Sequence, residues 1–246
     1  KHTEGFGPLP SGFENIELSQ QQLEEKISNK TAAVLIEPIQ GEGGIRLTPK
    51  EDLQMIRDLT SKHGVLMILD QVQCGLGRTG DFFSHEWAGV EPDIITLAKG
   101  LGAGFPIGAI LASTDASSGM VHGSHGSTFG GNPLACSVAL KVLEIIDEEK
   151  ILSNVKSLSE FLLTGINDII ENHKDKITSV RGRGFMLGIK CEVENTLIAE
   201  TALKNGLLLV PAADNIIRLL PPLNTEKKDI EEFFNLLNMT LENLPR

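Results

Sequence analysis

Three cysteines in 246 residues, Cys74, Cys136 and Cys191, are too far apart and odd in number for a disulfide framework. They make no Cys-x-x-Cys metal pair either, so a reducing compartment, the cytoplasm, is the expected location. Basic runs are lacking too: 22 Lys and Arg face 33 Asp and Glu, for a net charge of −11. That balance argues against DNA, RNA or an anionic membrane as partner. No uninterrupted apolar segment is long enough to span a bilayer. Internal repeats and low-complexity tracts are absent as well. Lys1 to Pro8 reads as loop, neither signal nor transit peptide, as though the chain begins in mid-domain.

What is there is a globular composition. Hydrophobic residues make up 41%, enough for a sizeable core in one large domain or two smaller ones. Leu18 to Ile27 reads as a polar helix capped by Ser19. Ala32 to Ile36 and Val65 to Leu69 are apolar runs that end in Glu37 and Asp70, and Ile94 to Ala98 is a third that ends in Lys99. Between the first two, Thr48-Pro49-Lys50-Glu51 reads as a capping box with proline at the first helical position, followed by Leu53, Ile56 and Leu59 at helical spacing. Apolar strands alternating with amphipathic helices predict βαβ units, and continuous apolar runs predict strands buried on both faces of a mostly parallel sheet. Ile107 to Ala112 adds a strand, 113–132 a loop, and Asn132-Pro133 opens a helix. The acidic stretch Asp147-Glu148-Glu149 marks a boundary, dividing the chain into 1–148 and 149–246. Beyond it, a long amphipathic helix from Leu152 to Ile170 is followed by strands at 185–189, 207–210 and 216–219. A last helix, capped by Thr225, completes an α+β unit.

Ligands of parallel sheets sit beyond the carboxyl ends of the strands, where Glu37, Asp70 and Lys99 all fall. A lysine closing a buried strand is costly to charge, and a neutral amine attacks carbonyls, so Lys99 reads as a Schiff-base former. The alternative is a solvated lysine that merely ends a strand. A buried carboxylate at Asp70 stays ionised only beside a cation, and a pyridinium N–H is such a cation. Lysine plus pyridinium-binding acid is the pair that pyridoxal phosphate (PLP) requires. Gly75-Leu76-Gly77-Arg78-Thr79-Gly80 satisfies a dinucleotide fingerprint, but the segment after it is too short for the required helix and the next strand ends in Lys99, not an acid. His122 and His125 lack further ligands at metal spacing. Ser127-Thr128 with Gly130-Gly131 is either an ordinary turn or a phosphate site.

Four stretches together resemble the class III aminotransferases, PLP enzymes of fold type I: Glu37-Pro38-Ile39-Gln40-Gly41-Glu42-Gly43-Gly44, Leu69 to Gly80, Ala98-Lys99-Gly100-Leu101-Gly102 and His125 to Ala135. Their order and spacing match through nearly the whole chain, and Gly123 to Thr128 with Val72-Gln73-Cys74-Gly75 is most similar to the acetylornithine branch. The resemblance implies that Lys99 carries PLP and shuttles the proton, and that Asp70 pairs with the pyridine nitrogen. Val72 would pack on the ring, Gln73 reach its hydroxyl, and Thr128 hold the phosphate of the partner subunit in a homodimer with shared sites. Ser127 would lie near substrate, and Glu42 would gate Arg218. Where the family has glutamate this chain has Gln71, counted here with the cofactor-binding residues.

The implied reaction moves the terminal amine of N2-acetylornithine to 2-oxoglutarate. The rivals are ornithine, succinylornithine or succinyl-diaminopimelate as donor, a PLP aminomutase, and an inactive truncated subunit. The family's N-terminal phosphate loop, ring-stacking aromatic and substrate arginine have no match before Lys1, so the chain reads as about the last two-thirds of a subunit.

Overall fold

The computed structural model describes residues 3–244; Lys1 and His2, part of the expected N-terminal loop, lie outside them. Helix α1 (Gln20–Lys26) starts where Ser19 Oγ accepts the Gln22 N–H. Strand β1 (Ala33–Ile36) leads into a small hairpin, β2 (Ile39–Gln40) with β3 (Arg46–Leu47), where a plain loop is expected. Helix α2 (Lys50–His63) ends on Gly64, whose φ of 65° is the left-handed cap that glycine supplies. The capping box expected at its start is absent. Pro49 is the cap residue, and the Thr48 hydroxyl donates instead to the Glu37 carbonyl, fastening the hairpin to the end of β1.

Strands β4 (Leu66–Asp70), β5 (Ile94–Leu97) and β6 (Ala109–Ala112) complete a sheet of order β1-β4-β5-β6. The first two pairings are parallel, as the βαβ pattern predicts, and β6 returns antiparallel to β5 as an edge. Leu53, Ile56 and Leu59 of α2 bury one face of the sheet with Met67 and Leu69. The opposite face departs from the expected double burial: Leu35 is 61% exposed and Ile110 69%. A short helix α3 (Thr114–Ser117) and the loop to Asn132 follow. Asn132 Oδ1 then caps α4 (Pro133–Glu148), with proline at the first turn as read from the sequence.

Helix α5 (Ile151–Asn172) packs on a second sheet built of β7 (Ile177–Arg183), β8 (Met186–Cys191), β9 (Val210–Ala212) and β10 (Ile216–Leu219), all antiparallel in the order β7-β8-β10-β9. The strand expected at 207–210 starts only at Val210, and β7 is an addition, as is helix α6 (Asn195–Lys204). The last helix, α7 (Lys227–Glu242), is capped by Glu226 and Asp229 in a reciprocal box rather than by Thr225. Val155, Leu162, Ile166, Phe185, Ile189, Ile217 and Leu237 make the core between these helices and the sheet. A third, smaller core joins the two halves: Ile39, Ile45 and Cys74 bury against Met186 and Ile216. It holds the hairpin against β10, and so decides which side chains meet there. Among the described residues, no helix is long and apolar enough to cross a membrane.

Candidate active site

Sheet register aligns three polar residues. Ile36 pairs with Leu69, and Asp70 pairs with Thr96, so Glu37, Asp70 and the segment leading to Lys99 share the carboxyl edge of neighbouring strands. Adjacent strands lie about 4.8 Å apart. Asp70 Oδ1 accepts the Val72 N–H at 2.9 Å, a side-chain-to-backbone turn that fixes the carboxylate as the strand ends. Burial pushes the half-buried Glu37 carboxyl up, and the Gly41 N–H that it accepts at 3.1 Å pulls it back. The negative charge of Asp70 raises it further and the positive charge of Lys99 lowers it, so both charges reach the Glu37 carboxyl.

Lys99 opens a single 3-10 turn, Lys99–Gly102, anchored by the buried Leu101. Its backbone has φ 44°, a left-handed conformation that side chains other than glycine adopt at a cost. The expectation of a desolvated amine is not met in this chain, because the residue is exposed. The strand stops at Leu97, two residues short, and the turn carries Lys99 out of the apolar layer.

A second cluster forms where the hairpin meets β10. Arg218 donates from Nη1 to Glu42 Oε1 at 2.5 Å and to Gln73 Oε1 at 3.2 Å, while Gln73 Nε2 donates to Glu42 Oε1 at 3.3 Å. The guanidinium hydrogen bond holds the Glu42 carboxyl below the usual carboxylate range. The arginine side chain is only 12% exposed and the glutamate 66%, so the acid is the partner free to swing away. Arg218 Nε is buried without a hydrogen-bond partner among the described residues. Gly41 makes room for this arrangement: a Cβ there would stand 2.1 Å from Gln73 Oε1.

Gln71 does not join the site. It is 1% exposed and points to the other side of the strand end from Asp70, where Oε1 accepts the Ser84 N–H at 2.7 Å and the Ser84 hydroxyl at 3.0 Å. Its Nε2 meets His85 Nδ1 at 2.7 Å. The cofactor contact expected of Gln71 is therefore corrected to a buried structural one. Ser127 and Thr128 lie on the exposed loop before α4. Ser127 Oγ accepts the Gly130 N–H, and neither residue hydrogen-bonds to Asp70, Gln73, Glu42 or Arg218 among the described residues.

The model of the family described as "Aminotransferase class-III" matches residues 10–241. The chain belongs to the class III aminotransferases. An acetylornithine aminotransferase of Mesorhizobium japonicum is 48% identical over 236 residues, which are 96% of this chain and 59% of that protein. Among solved structures, an ornithine aminotransferase from Toxoplasma gondii superposes with a TM-score of 0.92 at 31% identity, over 98% of this chain and 58% of that one. An acetylornithine aminotransferase from Elizabethkingia anophelis gives 0.85 at 36% identity, over 91% and 58%. The chain thus spans about three-fifths of the length of the relatives it matches.

Class III membership agrees with what the glycine-rich stretch does here. Gly75 to Gly80 is a packed corner, not a dinucleotide loop. A Cβ on Gly77 would meet Leu152 at 2.9 Å, and one on Gly80 would meet Lys156 at 2.8 Å, so the two glycines let α5 close on the turn. Arg78 reaches the carbonyls of Phe185 and Pro221 from inside, and burial pushes its guanidinium down to about 10. Asp81 adds an ion pair with Lys156 at 2.6 Å. The PLP on which this class depends finds a matching donor set at the sheet edge. Asp70 Oδ2 and Lys99 Nζ have no hydrogen-bond or ion-pair partner among the described residues, leaving one carboxylate oxygen and one amine available to a ligand.

Proposed function

We propose that the chain carries most of the PLP-binding unit and the C-terminal unit of an acetylornithine-type aminotransferase, divided at 148/149. The chain would move the terminal amine of N2-acetylornithine to 2-oxoglutarate. The observation that carries this reading is that a carboxylate oxygen on Asp70 and the amine of Lys99, both without partners among the described residues, lie at one sheet edge, where both charges reach the Glu37 carboxyl. An acid–arginine pair lies beside the next strand end. The 48% identity to an acetylornithine aminotransferase supports the choice of donor. The α5-side core, separate from that around α2, supports the boundary.

PLP, when bound, supplies an aldehyde that exchanges amines and a ring that accepts electrons. The residues of this chain do the rest. Lys99 would hold the aldehyde through Nζ, and its amine would carry a proton to and from the reacting carbon. Asp70 would take the pyridine N–H on the oxygen that Val72 leaves free and would keep that nitrogen protonated. Val72 would pack against the ring, and Gln73 would turn its amide from Glu42 and Arg218 to the ring hydroxyl. Arg218 has two duties, and Glu42 separates them. Paired with Glu42 it presents a neutral surface to the amino donor; released, it clamps a carboxylate of 2-oxoglutarate bidentately. Thr128, which bonds to none of these groups among the described residues, would serve the phosphate of the partner's site in a cytoplasmic homodimer, with Ser127 near the substrate.

Borohydride reduction of the chain loaded with PLP, followed by peptide mapping, tests the reading. A pyridoxyl label on Lys99 is the expected result, and no label on any lysine overturns it. Amino-donor consumption with and without 2-oxoglutarate then ranks acetylornithine against ornithine and the succinylated donors. Turnover without 2-oxoglutarate would point to an aminomutase instead.

A further inference from the structure

Behind the sheet edge lies a buried polar group that the proposed chemistry does not use. Its atoms assign their own hydrogens. The Ser84 backbone N–H can only donate, and it stands 2.7 Å from one terminal atom of Gln71, so that atom is the carbonyl oxygen. The other terminal atom is then the NH2, and it faces His85 Nδ1 at 2.7 Å. Nδ1 must accept, so the ring proton is on Nε2 and the imidazole is neutral. The Ser84 hydroxyl completes the set, 3.0 Å from both Gln71 Oε1 and Cys74 Sγ.

We propose that Gln71 is a positioning residue: through Ser84 and a neutral, Nε2-protonated His85 it grips the strand end from behind and so sets how Asp70 and Val72 face the ligand. The positioning of a cofactor rests on the function proposed above; the hydrogen-bond logic does not. Gln71 stands between the two residues whose mutual bond, Val72 N–H to Asp70 Oδ1, shapes the front of the turn. Protonating His85 would set a donor against the Gln71 NH2 and break the grip. Around the ring, Phe83 stacks with a centroid distance of 5.7 Å, and the charges that reach it are Glu86 and Glu91. Burial outweighs those two acids and holds the imidazole below its ordinary value. A carboxylate at this position would pair with a charged His85, whereas the amide of Gln71 makes a neutral contact.

Heteronuclear NMR of the full chain tests this without any cofactor. The nitrogen shifts of His85 should show the Nε2–H tautomer. On acidification, the Val72 amide resonance should move in step with His85 protonation. In Gln71→Glu, His85 should bind its proton about tenfold more tightly or better, and Val72 should hold its position at pH values where the wild-type resonance has moved. His85→Asn, whose amide oxygen accepts but cannot be protonated, should leave Val72 indifferent to pH over the same range. An Nδ1–H tautomer, or a Val72 amide blind to His85 protonation in wild type, overturns the proposal. Should wild type fail to take up PLP at any pH, the functional reading falls while the Val72–His85 coupling still decides this one.

Discussion

Lys99→Gly should stabilise the chain as it abolishes covalent capture of PLP. Lys99 holds φ 44° with its side chain exposed, so truncation removes no core contact and leaves the backbone as the main energetic issue. A left-handed non-glycine residue costs roughly 1–2 kcal/mol. Alanine keeps the Cβ and therefore the strain, whereas glycine removes it. Against that gain stands the extra freedom glycine brings to the unfolded chain, about 0.4–1 kcal/mol. At mid-range the difference leaves Lys99→Gly more stable than Lys99→Ala by about 0.8 kcal/mol, or about 2–3 °C in Tm for a chain of this length. Urea and thermal denaturation of the two variants side by side measure it, and the alanine variant corrects for losing the charge beside Glu37. A glycine variant no more stable than the alanine variant would refute the reasoning, because the strain would then not reside in that Cβ. Strain kept at a position whose side chain touches no core is what a functional constraint predicts.

Gly184→Ala should destabilise by about 2–4 kcal/mol in chemical denaturation, since φ is +59° and the new Cβ would stand 2.6 Å from the backbone of Arg78 and Thr79, which cannot yield. Iodoacetamide under native conditions should modify Cys136 alone, read by peptide mass: it is exposed, whereas burial pushes the Cys74 and Cys191 thiols up to about 11. Glu37→Gln should flatten part of the pH dependence of stability. The folded carboxyl titrates above its unfolded value, mainly through burial, so the unfolded state ionises first and stability falls as pH climbs between the two. Glutamine keeps an acceptor for the Gly41 N–H and has no charge to desolvate. An unchanged slope of unfolding free energy against pH just above the ordinary carboxylate range would count against this.

The sheet edge was legible because strand ends in parallel sheets are where apolar runs stop, and Glu37, Asp70 and Lys99 each stop one. What the residues alone misjudged was depth and direction. Lys99 sits beyond the last paired residue, Leu97, and a glycine-rich turn lifts it into solvent, so a lysine after an apolar run need not share that run's burial. The direction of Gln71 did carry a signal. The Gln71 N–H still bonds to the Thr96 carbonyl, so the strand geometry continues one residue past Asp70, and the period-2 rule then sends neighbouring side chains to opposite sides. Family likeness at Asp-x-Val-Gln hides that alternation by drawing all four residues toward one ligand. His85 and Ser84 had no comparable mark, being 14 and 13 residues from Gln71 in a segment without periodicity. Arg218 and Glu42 are 176 residues apart, and no local pattern links them. The small apolar core of Ile39, Ile45, Met186 and Ile216, which presses the hairpin onto β10, brings that acid to that arginine, helped by the Ala213 N–H on the Glu42 carbonyl and by Arg181 on the Gly44 carbonyl. Apolar packing across the two halves therefore sets the geometry of the charged gate, and a cavity cut at Ile45 should loosen the Glu42–Arg218 contact without touching either residue.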